Sequence, residues 1–177
     1  IIVLDGEDLL MIDQHAAHER ILYEELISKR FDGDYCQSLL IPHNIELSSD
    51  TISLLGEHKD LLAAFGFEWD SFSATSIVLR SVPVLKTKVS LANVFEMLID
   101  EVLSFGKAGA LDRLKEKIIA TMACKAAVKD GDVLTTQEME QLARDLFATP
   151  NYQTCPHGRP TVTSFSKDEL ASRFLRN

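Results

Sequence analysis

The sequence predicts an α+β fold in two subdomains, and three observations predict it. Short apolar runs near the start and at 76–82 have the length and branching of strands, whereas longer stretches repeat apolar residues every three or four positions, as helices do. The two kinds of segment do not alternate as regular strand–helix–strand units, which argues against a doubly wound parallel sheet. Phe31-Asp32-Gly33-Asp34 then breaks the periodicity with turn residues and is the best candidate for a crossing into a second subdomain.

Taken in order, two apolar runs within 1–12 flank Asp5-Gly6-Glu7-Asp8, and Asp-Gly supplies the positive φ of a tight turn, so a β-hairpin opens the chain. From 14 to about 29 there is no Gly or Pro, and Ile21, Leu22, Glu25 and Leu26 carry an i, i+4 pattern. Strand therefore runs directly into helix, with Asp13 placed as the N-cap. Ser49 or Asp50 caps a helix running to Phe65, with Gly66 as its stop. Residues 67–69 and 76–82 read as strands, the second β-branched and ending near Pro83. Ser90 caps a helix to about Ser104, and after the Gly106 to Gly109 break a longer helix covers 111–128. Thr135-x-x-Glu138 is a capping box for a helix ending near Pro150, residues 161–163 form a short strand, and Ser166-x-x-Glu169 caps a last helix.

Composition bounds the function. The 177 residues, 46% hydrophobic and 25% charged, have globular proportions that exclude disorder and fibre. No apolar run approaches the roughly 18 residues of a membrane span, so a soluble protein is expected. Ile1 begins inside an apolar run with neither a basic leader nor an initiator Met, so no signal peptide is read and a fragment of something longer is expected. Eighteen Lys+Arg against 27 Asp+Glu give a net charge of -9, which repels phosphate backbones, and tight DNA binding by this piece alone is not expected. Three scattered cysteines, Cys36, Cys124 and Cys155, are too few for a disulfide framework and read as reduced thiols of a cytoplasmic protein.

Three segments carry chemistry. In Asp13-Gln14-His15-Ala16-Ala17-His18-Glu19, His15 and Glu19 are one helical turn apart and can reach one cation, with Asp13 just ahead. The bland alternative makes Asp13 only a cap, His15 and Glu19 a surface pair, and His18 a solvated side chain. In Cys155-Pro156-His157-Gly158-Arg159-Pro160, two prolines and a glycine stiffen the backbone around a thiol and an imidazole, as ligands held before a metal arrives require. The alternative there is a Pro-rich turn with a buried Cys. Cys124 sits between Ala123 and Lys125 on the long helix and alone reads as core. Cys, His and carboxylate together suit zinc, with manganese suited to an oxygen-rich side. A Cys-His nucleophile is disfavoured, because an i, i+2 pair across a Pro-locked turn is poor general-base geometry.

Together the three segments resemble the C-terminal endonuclease domain of the MutL family of DNA mismatch-repair proteins. The family motif DQHA-x2-E-x4-E is met by Asp13-Gln14-His15-Ala16, Glu19 and Glu24; Ala-Cys-Arg is approximated by Ala123-Cys124-Lys125; Cys-Pro-His-Gly-Arg-Pro is matched from Cys155 to Pro160. Lys125 keeps the charge of the family's Arg and loses its planar fork. Gln37-Ser38-Leu39-Leu40-Ile41-Pro42 has the form Q-x-L-x-x-P and is similar to the sliding-clamp motif of bacterial members, with Gln37, Leu39, Leu40 and Pro42 as its anchors; an edge strand is the plain alternative.

The resemblance implies a dimerising subdomain from 1–30 and 126–177 and an inserted regulatory subdomain from 31–125. It implies a metal-dependent endonuclease that nicks one strand of duplex DNA, stimulated by the sliding clamp, with His15, Glu19, Cys124, Cys155, His157 and Asp13 at the metal and Arg159 meeting phosphate. Asp13, His15, Glu19 and Arg159 are its catalytic set. Glu24 is expected to hold Arg20 or a group behind the ligands. Bound Zn2+, activating Mn2+, a homodimer, weak contact with DNA, a mismatch-recognition protein met through the full-length protein and a bacterial cytoplasmic setting are implied with it. The rival reading is a non-catalytic, zinc-stabilised dimerisation and clamp-recruitment module; six candidate ligands exceed what one closed tetrahedral zinc uses, which favours catalysis.

Overall fold

A computed structural model describes residues 1–28, 36–105 and 111–175. The expected breaks at Phe31-Asp32-Gly33-Asp34 and from Gly106 to Gly109 lie outside the described residues. The fold is α+β, with two three-stranded antiparallel sheets and seven helices among the described residues. The chain forms two compact units, one of Ile1–Glu25 with Ala127–Asn177 and one of Leu26–Ala126.

In the first unit, β1 (Ile2–Asp5) and β2 (Asp8–Ile12) make the expected hairpin, turning at Gly6 with φ +63°. The last strand of the chain, β6 (Val162–Phe165), adds to the other side of β2, so the sheet order is β1-β2-β6. The registers pair Ile2 with Met11, and Leu4 with Leu9, which in turn faces Phe165. Strand alternation therefore gives the sheet two apolar faces. Ile12, Val3 and Val162 lie on one, which packs against Ala17 and Ile21 of α1 (Gln14–Ser28) and Ala143 and Leu146 of α6 (Thr136–Ala148). The other leaves Ile2 67%, Leu4 76% and Met11 46% exposed.

Both capping boxes form as their spacing predicts. The Thr135 hydroxyl accepts from Glu138 N, and the Glu138 carboxylate accepts from Thr135 N, at the start of α6. Ser166 and Glu169 do the same for α7 (Lys167–Arg173), and the Ser166 backbone and hydroxyl bonds hold the Glu169 carboxyl below its ordinary range.

The second unit contains β3 (Cys36–Glu46), α2 (Ser49–Glu57), α3 (Lys59–Ala64), β4 (Glu68–Ser73), β5 (Ser76–Pro83), α4 (Leu91–Phe105) and α5 (Leu111–Ala126). Its sheet order is β3-β5-β4, so the β-branched run read from the sequence is the central strand, with Ile77, Leu79 and Val82 buried. Val94, Phe95, Leu98 and Val102 of α4 and Leu114, Ile118 and Met122 of α5 supply the helical half of the core at helical spacing. Gly66 ends α3 at φ +84°, and a Cβ there would stand 3.0 Å from Pro83 Cα, so both conformation and space demand glycine.

Three expectations are corrected. The helix to Phe65 is two helices, capped by the Ser48 hydroxyl rather than by Ser49 or Asp50, and parted at His58 (φ -112°, ψ 15°). Gly56, in the last turn of α2, is the weak point, since glycine costs about 1 kcal/mol against alanine inside a helix. The long helix ends at Ala126 rather than 128, where the Thr87 hydroxyl takes the Ala126 carbonyl. The last strand starts at Val162, because Thr161 is drawn instead to Gln153 and Tyr152.

A candidate metal centre

Asp13 closes strand β2 and opens helix α1: its Oδ1 accepts from Ala16 N at 3.0 Å, as an N-cap should, and its own N–H donates to Thr161 O at 2.9 Å. The side chain is otherwise exposed. The first turn of α1 is fastened to the segment after α5. Gln14 Nε2 donates to the carbonyls of Lys129 and Asp132, each at 2.9 Å. His15 Nδ1 lies 2.7 Å from Val128 O, and His18 Nδ1 accepts from Val128 N at 3.0 Å. A carbonyl can only accept, so His15 Nδ1 carries a proton, and in the neutral ring Nε2 is then the lone pair that a metal-ligating imidazole needs. His18 is half-buried and bonded to backbone, not solvated.

The Cys155–Pro160 segment is a small hairpin. Thr154 bridges Pro160, Thr161 N donates to Gln153 O at 3.0 Å, and Cys155 N donates to Arg159 O at 2.8 Å. The turn closes with Gly158 N on Cys155 O at 2.9 Å, and Gly158 has φ +79°. The result buries Cys155 and leaves His157 and Arg159 at the surface.

Glu19 joins these parts. It is 2% exposed, yet its Oε1 has no hydrogen-bond partner; His157 Nδ1, 2.9 Å away, is an ion-pair partner when protonated but is not aligned as a hydrogen-bond donor. One ligand atom each from Glu19, Cys155 and His157 lies within 4.8 Å of the others, and the same limit holds between His15 and Glu19. A buried carboxylate oxygen left without a donor is costly, and thiol, imidazole and carboxylate converging on it are a zinc-type donor set. The residues therefore fit a divalent cation. Cys124 belongs to the second unit, half-buried on the last turn of α5, with Lys125 exposed beside it. All three cysteines are thiols.

Glu24 holds Arg20, as expected: Arg20, 8% exposed, donates from Nη1 to Glu24 Oε1 at 2.8 Å, and it also donates from Nε to Thr154 O at 2.5 Å, a contact the motifs do not announce. The signal was present in the i, i+4 spacing of Arg20 and Glu24, but the reach to Thr154 spans 134 residues.

Gln37, Leu39, Leu40 and Pro42 lie on β3, the edge strand of the second sheet. Pairing with β5 runs Gln37–Val82 and Ser38–Ser81, then resumes at His43–Leu79, so residues 39–42 stand opposite Arg80 alone. The bulge turns Leu40 and Ile41 fully outward, at 102% and 84% exposure.

Fold and site together define an α+β domain with an apolar sheet face open to association and a carboxylate, thiol and imidazole cluster suited to a cation. The chain belongs to the MutL C terminal dimerisation domain family, whose model matches residues 1–134. It is similar to proteins described as DNA mismatch repair protein MutL. The one from Dictyoglomus turgidum is 41% identical over 178 residues, covering 99% of this chain and 31% of the relative. Those from Caldanaerobacter subterraneus subsp. tengcongensis and Methanocorpusculum labreanum are each 38% identical, over 99% and 97% of this chain and 30% and 29% of theirs. The chain thus spans less than a third of the length of these relatives. No helix among the described residues is long and apolar enough to cross a membrane.

Proposed function

We propose that this chain is the metal-dependent endonuclease domain of a DNA mismatch-repair protein and nicks one strand of duplex DNA. The supporting observation is the buried Glu19 oxygen that lacks a hydrogen-bond donor while thiol and imidazole ligand atoms stand around it. His15, Glu19, Cys155 and His157 hold the ion; Cys124 joins the set on the motif resemblance alone. A bound divalent cation supplies charge to polarise a phosphoryl oxygen and acidify a water. Zinc suits the thiol and imidazole side, and manganese, as activator, the carboxylate side. Asp13, exposed at the helix start, orients water or completes a second oxygen-rich site, and the exposed Arg159 guanidinium meets the phosphate.

The net charge of -9 fits a domain that binds DNA weakly by itself and cuts where the rest of a full-length protein, with a mismatch-recognition partner, and the sliding clamp deliver it. The outward Leu40 and Ile41 support clamp docking through residues 37–42, and the open face of Ile2, Leu4 and Met11 supports homodimerisation through the first unit. The inserted second unit is then regulatory.

The experiment is nicking of supercoiled plasmid with manganese, with and without the sliding clamp, by this chain and its Asp13→Asn form. Asparagine is as good an N-cap as aspartate, so the variant keeps helix α1. Clamp-stimulated nicks that vanish in the variant are expected. If neither form nicks while both bind zinc and dimerise, the domain is a zinc-stabilised dimerisation and recruitment module.

A further inference from the structure

The hairpin that carries Cys155 is bonded within itself, but a hairpin can be internally rigid and still tilt against the helix that carries Glu19. Arg20 joins the two through the backbone next to Cys155 itself. Its Nε donates to Thr154 O at 2.5 Å, while the N–H of the same peptide unit, on Cys155, donates to Arg159 O at 2.8 Å. The peptide plane that sets the direction of the Cys155 Cα–Cβ bond is therefore held at both of its polar ends, one by the hairpin and one by α1. Arg20 is itself held: Nη1 donates to Glu24 Oε1 at 2.8 Å, and the guanidinium carbon lies 5.5 Å from the Tyr23 ring centroid. The fork uses separate donors for Thr154 and Glu24, which a lysine ammonium cannot match in one geometry. Arg20 and Glu24 are nearly out of solvent, with side chains 10% and 19% exposed, so the pair is built into the unit and is not a surface ion pair.

We propose that Arg20, braced by Glu24, is a positioning residue that fixes the Cys155 thiol against Glu19 and so sets metal affinity and geometry. The carboxylate at Glu24 acts on the site through Arg20 and is no ligand. This inference rests on the metal reading above.

Its test is zinc affinity, measured by competition with a chromophoric chelator, and the absorption spectrum of the cobalt-loaded chain, which reports thiolate coordination. Parent, Arg20→Gln, Arg20→Lys, Glu24→Gln and Glu24→Ala are compared after circular dichroism has shown each to be folded. Groups behind metal ligands typically set affinity by about 10- to 100-fold, and a loss in that range is expected for Arg20→Gln. Arg20→Lys is expected not to restore it. Glu24→Gln, which keeps an acceptor for Nη1, is expected to lose less than Glu24→Ala. The cobalt spectrum should shift in Arg20→Gln, and in the metal-free chain the Cys155 amide should exchange faster. Folded Arg20 and Glu24 variants with parental affinity and spectrum overturn the positioning role. Should Arg20→Gln not fold, Glu24→Ala against Glu24→Gln decides: equal affinities overturn it. A parent chain that binds neither zinc nor cobalt overturns the metal reading itself, and with it this inference.

Discussion

Two of the motif-bearing segments of this chain are built in opposite ways. The Cys155–Pro160 hairpin is bonded across its width, closed by a left-handed glycine and tied by Arg20 to a buried helix. The Gln37–Pro42 stretch is an edge strand that leaves its partner for residues 39–42 and turns Leu40 and Ile41 into solvent. On the proposed metal reading, a first coordination sphere must be held before the ion arrives, and Cys155 and His157 sit where backbone bonds are dense. On the proposed docking reading, a peptide must give its apolar side chains to a partner, which suits an edge that the fold itself leaves open. The segment with the denser bonding should accordingly respond to mutation through stability and metal, and the looser one through neither.

The largest effect is expected at Glu19. A buried carboxylate oxygen without a donor costs about 1–3 kcal/mol, and more for a charge. Glu19→Gln removes that buried charge along with its ion pair to His157, whose side chain is 52% exposed and so gives little in return. The metal-free chain should gain about 1 kcal/mol or more, while on the metal reading zinc affinity falls on the order of 100-fold because a ligand is lost. Thermal unfolding with and without zinc reads both signs. Loss of stability in both conditions would make Glu19 an ordinary buried residue and erase the contrast between the two segments.

That reversal of sign could not have been argued from sequence, and the reason is general to this chain. Features set within a few residues were legible: the Asp-Gly hairpin, the Asp13 cap, the boxes at Thr135 and Ser166, and the stop at Gly66 all form. Motif chemistry also placed Glu19, Cys155 and His157 in one list. What the sequence does not encode locally is the partner across a long loop. Arg20 finds Thr154, His18 finds Val128, and the 11-residue β3 finds β5 only after the chain has folded. The split at His58 falls two residues after Gly56, where the helical pattern is weakest.

A smaller effect is expected at Gly158. A Cβ there meets nothing within 4 Å, so the whole cost of Gly158→Ala is the left-handed backbone at φ +79°, about 1–2 kcal/mol. Denaturant unfolding of the zinc-free chain checks it. A cost near zero would mean the turn relaxes to another conformation, and that the hairpin is less rigid than its bonds imply.

The smallest effect on stability belongs to the edge. Leu40 and Ile41 bury almost nothing, so Leu40→Ser with Ile41→Ser removes no core contact and should move stability by no more than about 0.5 kcal/mol. Serine also lowers the strand's apolar exposure, so solubility should rise if anything. On the docking reading the same double variant loses clamp binding, measured by surface plasmon resonance, while zinc affinity stays at the parental value. The separation matters more than either number. A bulge that served the fold would show its cost in the isolated chain, through lost packing. One that serves a partner shows it only when the partner is added, because the apolar area leaves water only then. Destabilisation beyond about 1 kcal/mol in the isolated chain, with clamp binding intact, would return residues 37–42 to the role of a plain edge strand.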